Sequence, residues 1–280
     1  MGKEENIVVF KDTARLCANN ASLKKSISES VAKQGLILES DVVSVTDKRR
    51  YANKATIIVS KKRSYEAASG YKGERVCVHN FASASNPGGG VVKGSNAQEE
   101  CLCRCSSLYF CLTDKSVWDG FYATHRAEQN PLHNDDIIYT PDVTVFKSDT
   151  ASPKLLPEKD WYNVDVITCA APNLRQRPSN SYNSGDGDKA VKISDKELLA
   201  LHEKRLRRIL DVALSKGADV VILGAFGCGA FANNPEVVAR AAKNVIKDYL
   251  NAFKHIEFAV YCNPKDDTNY RIFERHMKNI

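Results

Sequence analysis

The 280-residue sequence has no apolar run approaching the ~20 residues a helix needs to cross a bilayer, so a helical membrane protein is excluded. Its first residues, Met1 to Asn6, carry two glutamates where a secretory signal would have a basic start and an apolar centre; a cytoplasmic location is expected. No internal repeat and no linker of shifted composition divides the chain, and length alone allows one large domain or two small ones. Neither sign of charge dominates. The 40 basic and 34 acidic residues leave a net charge of +6, enough to help attract an anionic ligand. The basic runs at Lys24 and Lys25, Lys48 to Arg50, Lys61 to Arg63 and Arg205 to Arg208 lack aromatics interleaved at base-stacking spacing. They read as solvated helix faces or strand ends, and direct nucleic-acid binding is not expected. The six histidines are scattered, none with a partner at metal-ligand spacing.

What is present is ordinary for a soluble globular protein, with 43% hydrophobic and 26% charged residues. The nine cysteines cannot all pair, and most fall in predicted strands and helices, so they read as reduced, buried thiols. Cys101, Cys103 and Cys105 form the one dense cluster. On a helix the outer two share a face while Cys103 points away, so the three cannot converge on a metal.

Periodicity predicts one or two helices over Lys11 to Gln34, then strands at Thr56 to Ser60 and Val76 to Phe81 with a short helix at Ser64 to Ala68. Ala97 to Cys111 carries the apolar stripe of a single helix lying on a sheet. Ile137 to Tyr139 and Val143 to Phe146 flank Pro141 and Asp142, which predicts a hairpin of two short strands. Val164 to Cys169 is a buried strand, and Pro172 to Asp188 is a long segment without periodicity, of the kind that forms a lid or binding loop. Ser194 caps a helix that Gly217 ends; Val220 to Leu223, Pro235 to Leu250, Ile256 to Tyr261 and Thr268 to Lys278 continue as strand, helix, strand and helix. From Thr56 onward, strands and helices alternate as in a layered sheet with helices on both faces. The expected architecture is one α/β domain over residues 55–280 with an N-terminal helical extension, residues 1–54.

Two loops carry the chemistry. His79 to Gly90 leaves the end of a strand and closes on Gly88, Gly89 and Gly90, a run that makes sense where φ is positive or a ligand lies against the main chain. Gln98, Glu99 and Glu100 follow at the start of a helix. Alone, these glutamates would read as a helix start, because Asn96 and Glu99 have capping-box spacing and acids are favoured near the positive end of the dipole. The glycines upstream shift that balance, since ligands of open α/β sheets lie at the carboxyl ends of strands. The second loop, Gly224 to Phe231, lies between a strand and a helix and can turn backbone N–H groups toward a diphosphate. It lacks the Gly-x-Gly-x-x-Gly spacing and the P-loop lysine. A branched side chain at Gly227 would be expected to block the main chain from such a ligand far more than to disturb the fold. Cys228 has no nearby His and reads as a small residue, not a nucleophile.

Gly88-Gly89-Gly90, seven residues, and then Gln98-Glu99-Glu100 resembles the signature of poly(ADP-ribose) glycohydrolases, in particular their shorter bacterial branch. The resemblance extends to Ile167 through Asn173, Gly224 through Phe231 and Tyr261 through Pro264. It implies a three-layer α/β/α macrodomain with a mixed central sheet and hydrolysis of the ribose–ribose O-glycosidic bond, releasing ADP-ribose without a cofactor or metal. It further implies Glu100 as the catalytic acid/base, Glu99 on ribose hydroxyls and Asn80 near the scissile bond. Gly227, Cys228, Gly229 and Ala230 would wrap the diphosphate, and Phe231 would pack on the distal ribose. Gly88, Gly89, Gly90 and Gln98 complete the expected substrate-binding set. The expected partner is ADP-ribose or its polymer on modified proteins, met by a monomer. A non-catalytic ADP-ribose reader, or a hydrolase of another ADP-ribosyl linkage on protein or nucleic acid, are the alternatives.

Overall fold

β-Branched and aliphatic runs occupy the centre of the computed structural model, which describes residues 1–280 apart from Thr46, Tyr182 and Asn183. The strands are β1 (Gly35–Ile37), β2 (Thr56–Ser60), β3 (Val76–Ala82), β4 (Ile137–Val145), β5 (Tyr162–Ala170), β6 (Val220–Leu223) and β7 (His255–Ala259). They form one seven-stranded sheet in the order β1-β4-β5-β3-β6-β7-β2. Strand β3 is central and parallel to both neighbours, whereas β4 is antiparallel to β1 and β5, so the sheet is mixed. The helices are α1 (Lys3–Asn19), α2 (Ala21–Lys33), α3 (Ser64–Ala68), α4 (Gln98–Cys105), α5 (Leu108–Leu112), α6 (Lys115–Val117), α7 (Ala123–Glu128), α8 (Asp195–Ser215), α9 (Pro235–Ile246) and α10 (Thr268–Met277).

Side-chain alternation along the strands splits the core into two layers. Cys77, Ile167, Val221 and Ile256 pack with α8, α9 and α10 on one face, while Val76, Val78, Val166 and Ile222 pack with α3, α4 and α5 on the other. The fold is therefore the three-layer α/β/α arrangement expected. Helix α8 begins at Ser194, whose hydroxyl accepts from Glu197 N while the Glu197 carboxylate accepts from Ser194 N, and Gly217 ends the run with a φ of +79°.

Three local expectations are corrected. The Pro141–Asp142 pair does not turn a hairpin: β4 runs through it as one strand with a bulge between Thr140 and Val143. Pro141 has no N–H for the ladder, and Asp142, at φ +54°, donates its own N–H to Asp165 Oδ1 instead. The helix over Ala97 to Cys111 breaks at Ser106, which is extended and bridges to Val145, while Ser107 Oγ accepts from Thr144 N. Short hydroxyl side chains offer the backbone this alternative to the helix. Finally, the N-terminal segment is helical as expected in α1 and α2, but Gly35–Ile37 adds to it an edge strand of the sheet beside β4. Its helices are packed in as well, with Phe10 of α1 in the α4 and α5 core and Leu23 of α2 against Phe146.

Candidate active site

The chain leaves the carboxyl end of β3 and reaches Gly88 and Gly89 with φ of +66° and +58°. A Cβ at Gly88 would lie 2.7 Å from the Tyr109 ring, and one at Gly89 would lie 2.5 Å from Glu100 Oε1. Both positions exclude side chains on conformation and on space. The loop then enters α4, whose N-cap is Ala97, with no capping side chain. The cap bond expected of Glu99 is made by Glu100: Oε2 accepts from Ala97 N at 2.8 Å, and Oε1 accepts from Gly90 N at 2.9 Å. Asn96 is not the cap, since its Oδ1 accepts from Arg104.

Glu99 sits deeper and is turned toward β3. Its carboxylate accepts from Ser83 N at 2.8 Å and from Asn80 Nδ2 at 3.2 Å. Burial first, and then the neighbouring Glu100 charge, push the Glu99 carboxyl up to about 8 against the pull of those donors. Gln98 staples the start of α4 to β3: its carbonyl accepts from Phe81 N at 2.9 Å, and its amide donates to His79 O at 2.8 Å and Ser64 Oγ at 3.0 Å. The three consecutive residues thus have three tasks, one locking the helix, one facing inward and one presented beside the glycines.

The second loop faces them from the end of β6. Gly227 has a φ of +77°, but its missing side chain would point inward, 2.6 Å from Asn233 Nδ2 and 2.7 Å from Ala171 Cβ. The expectation that substitution there would mainly obstruct a ligand is corrected: it would strike the interior first. Asn233 is the buried hub of this loop. Its amide donates to Pro172 O, Gly227 O and Phe231 O at 2.7, 3.1 and 3.2 Å, and its Oδ1 pairs with His202 Nε2 at 2.8 Å. The Arg175 guanidinium lies 5.5 Å from the centroid of the Phe231 ring. Arg175 belongs to the aperiodic 172–188 segment, which Asp186 ties down by accepting from Asn173 Nδ2 at 2.8 Å and Ser85 Oγ at 2.9 Å.

Between the two loops lies a cleft of about 630 Å³. Gly89, Gly90, Gln98, Glu99, Glu100, Gly227, Gly229, Ala230 and Phe231, all expected from sequence, line it together. Asn80, Gly88 and Cys228 are not in the lining. Asn80 is fully buried behind Glu99 and also donates to Thr168 Oγ1 at 3.1 Å, so it holds Glu99 from the rear. Gly88 supports Tyr109, and burial raises the Cys228 thiol well above its usual range. Sequence reasoning missed Arg63, Asp149 and Tyr261 in the same cleft. The Arg63 guanidinium lies 4.0 Å from the Tyr261 ring centroid, and burial lifts Asp149 to about 6. These three come from distant strand ends and share no local pattern. Among the described residues, no group of His, Cys, Asp and Glu converges as a metal site would require, and no helix is long and apolar enough to cross a membrane.

A carboxylate gripped by two main-chain donors, with a second buried carboxyl beside it and a glycine loop opposite, on an α/β/α sheet, defines a macrodomain-type hydrolase. The family model for the microbial-type PARG catalytic domain matches residues 5–148. Poly(ADP-ribose) glycohydrolase (PARG) from Thermomonospora curvata superposes with a TM-score of 0.80 at 26% identity, covering 98% of this chain and 99% of that one. Its complex with the inhibitor ADP-HPD gives a TM-score of 0.81 at 28% identity over 97% and 99%. The Deinococcus radiodurans enzyme in complex with ADP-ribose gives 0.77 at 31% identity, over 91% and 98%. Comparison with curated proteins gives no match. The chain belongs to the microbial-type PARG catalytic-domain family and is a glycosidase-type hydrolase.

Proposed function

We propose that the enzyme hydrolyses the ribose–ribose O-glycosidic bond of poly(ADP-ribose) and releases ADP-ribose, with Glu100 as its acid/base. The carrying observation is the clamp on Glu100, whose two oxygens accept from Gly90 N and Ala97 N while the carboxylate lines the cleft. Bond cleavage passes through an oxocarbenium-like state, so the leaving oxygen needs a proton and the attacking water then needs a base. One fixed carboxyl serves both steps in turn. Glu99, aimed by Asn80 and Ser83, holds ribose hydroxyls; the N–H groups of Gly227, Gly229 and Ala230 receive the diphosphate, that of Cys228 being bonded to Ala225 O, and Phe231 packs on the distal ribose.

A non-catalytic reader would need both glycine loops and no acid, and the paired buried glutamates argue against it. Glu100→Gln keeps the shape and, through its amide oxygen, one of the two backbone hydrogen bonds, but removes the proton donor. It is expected to lower turnover by at least a thousandfold while ADP-ribose affinity by calorimetry stays within about threefold, an order of magnitude set by general acid/base effects. Near wild-type turnover would overturn the assignment. Incubation with defined polymers and with singly ADP-ribosylated protein or nucleic acid, followed by identification of the released nucleotide, separates the polymer hydrolase from a hydrolase of another linkage. The same reading has the enzyme acting as a cytoplasmic monomer on ADP-ribosylated proteins. The nine cysteines, which cannot all pair and lie mostly in strands and helices, support the reducing compartment.

A further inference from the structure

Helix α1 lies outside the cleft, yet Asn6 reaches the loop that aims Glu100, and Thr13 and Phe10 reach α4 and α5 behind it. Asn6, itself 1% exposed, donates its amide to Gly94 O at 3.0 Å. Gly94 has a φ of +80°, and a Cβ on it would lie 2.4 Å from the backbone carbonyl of Lys3, so the first turn of α1 and the loop are in direct main-chain contact. The turn between is closed by bonds from Lys93 N and Ser95 N to Gly90 O at 2.9 and 3.1 Å, and Gly90 N is a donor that fixes Glu100. Further along α1, Thr13 Oγ1 donates to Arg104 O at 2.6 Å, and the Phe10 ring meets Tyr109 edge-on at 4.9 Å.

We infer that α1 is a brace of the active centre and that Asn6 is a positioning residue of the reaction, acting through Gly94 and Gly90 on the orientation of Glu100. This rests on the acid/base reading of Glu100. A displacement of about 1 Å at a reacting group can cost about 10²-fold in rate, so partial loosening of the loop is expected to register in kcat before it registers in binding. Asn6→Leu, which keeps the volume and removes the donor, should lower kcat about tenfold and leave KM for polymer within about twofold. Leu210→Ala in α8, fully buried in the core layer on the opposite face of the sheet from α1, supplies a control that loses thermal stability with kcat unchanged. Should Asn6→Leu fail to fold, Asn6→Ala removes the same donor without adding bulk and should show the same loss in kcat. The inference is overturned if the folded variant of this contact keeps kcat within twofold of wild type. It is equally overturned if Leu210→Ala loses kcat to the same extent at an equal drop in melting temperature. If Glu100→Gln turns over normally, the acid/base reading fails and the positioning of Glu100 falls with it; if Glu100→Gln is inactive while folded Asn6→Leu keeps its kcat, the positioning inference alone fails.

Discussion

Gly89→Ala is the substitution that tests the geometry of the centre with the fewest atoms. The added Cβ would lie 2.5 Å from Glu100 Oε1, 3.2 Å from its Cδ and 3.1 Å from Glu99 Oε2, where ordinary contact begins at 3.4 Å. The backbone cannot easily yield, because Gly89 N donates to Asn86 O at 2.9 Å and the adjacent Gly90 N donates to Glu100. The Glu100 carboxylate must therefore retreat by about 1 Å, which stretches its bond to Gly90 N and misaims the proton it is proposed to deliver; a shift of that size costs about 10²-fold in rate. Holding an alanine at φ +58° costs the fold only about 1–2 kcal/mol. In a chain of this size that corresponds to a drop of about 2–6 °C in melting temperature. The expected result is a kcat for ADP-ribose release near 1% of wild type in an enzyme whose thermal transition is only slightly lowered. A kcat within threefold of wild type, with the protein folded, would refute the idea that Gly89 is glycine in order to admit Glu100.

Two further outcomes follow from the buried groups. The native state raises Glu99 to about 8 from 4.5, so between those values it retains a proton that the unfolded chain has lost, and stability should fall as pH rises across that window. The contribution is at most about 1.4 kcal/mol per pH unit, and Glu99→Gln should flatten the decline in denaturant titrations from pH 5 to 8; parallel curves would refute it. Asn233→Ala takes the side-chain donor from the buried Pro172 carbonyl and the acceptor from His202 Nε2, while Gly227 O and Phe231 O keep the backbone donors Asn233 N and Leu174 N. The loss should be about 2 kcal/mol, and ADP-ribose binding should weaken as the Gly227–Phe231 loop is released. Unchanged affinity in calorimetry would show that the loop holds its shape without the hub.

Most of the fold could be read from sequence because its strands are short β-branched runs and its long helix carries complete end signals at Ser194 and Gly217. What could not be read depended on partners distant in the chain. Pro141–Asp142 carries the same local signal for a tight turn as for a bulge, and only the pairing of β4 with β5, together with the Asp165 carboxylate waiting for Asp142 N, decides between them. Ser106 and Ser107 are tolerable inside a helix until the end of β4 offers them backbone partners. Gly35–Ile37 is too short to announce itself and becomes a strand only because β4 has an open edge beside it.

The site divides in the same way. Glycines at positive φ and a pair of adjacent acids are local signals, and they pointed to Gly89, Gly90, Glu99, Glu100 and Gly227. The side chains around those groups leave no such pattern: Asn6 meets the Gly94 carbonyl from 88 positions away and Arg63 stacks on Tyr261 from across the chain, while Asn233, only six positions beyond Gly227, looks like any loop asparagine until its partners are in place. Glycine itself is ambiguous: Gly89 is bare because a carboxylate passes in front of it, whereas Gly227 is bare because Asn233 and Ala171 press from behind. The choice between a helix cap and a catalytic acid was likewise no true choice. Glu100 is the residue whose side chain accepts from the N-cap N–H, and that bond, with its twin from Gly90 N, fixes both carboxylate oxygens before any substrate arrives. Preorganisation of this kind spares the reaction the cost of orienting the group, so the capping role and the proposed chemistry depend on the same two hydrogen bonds.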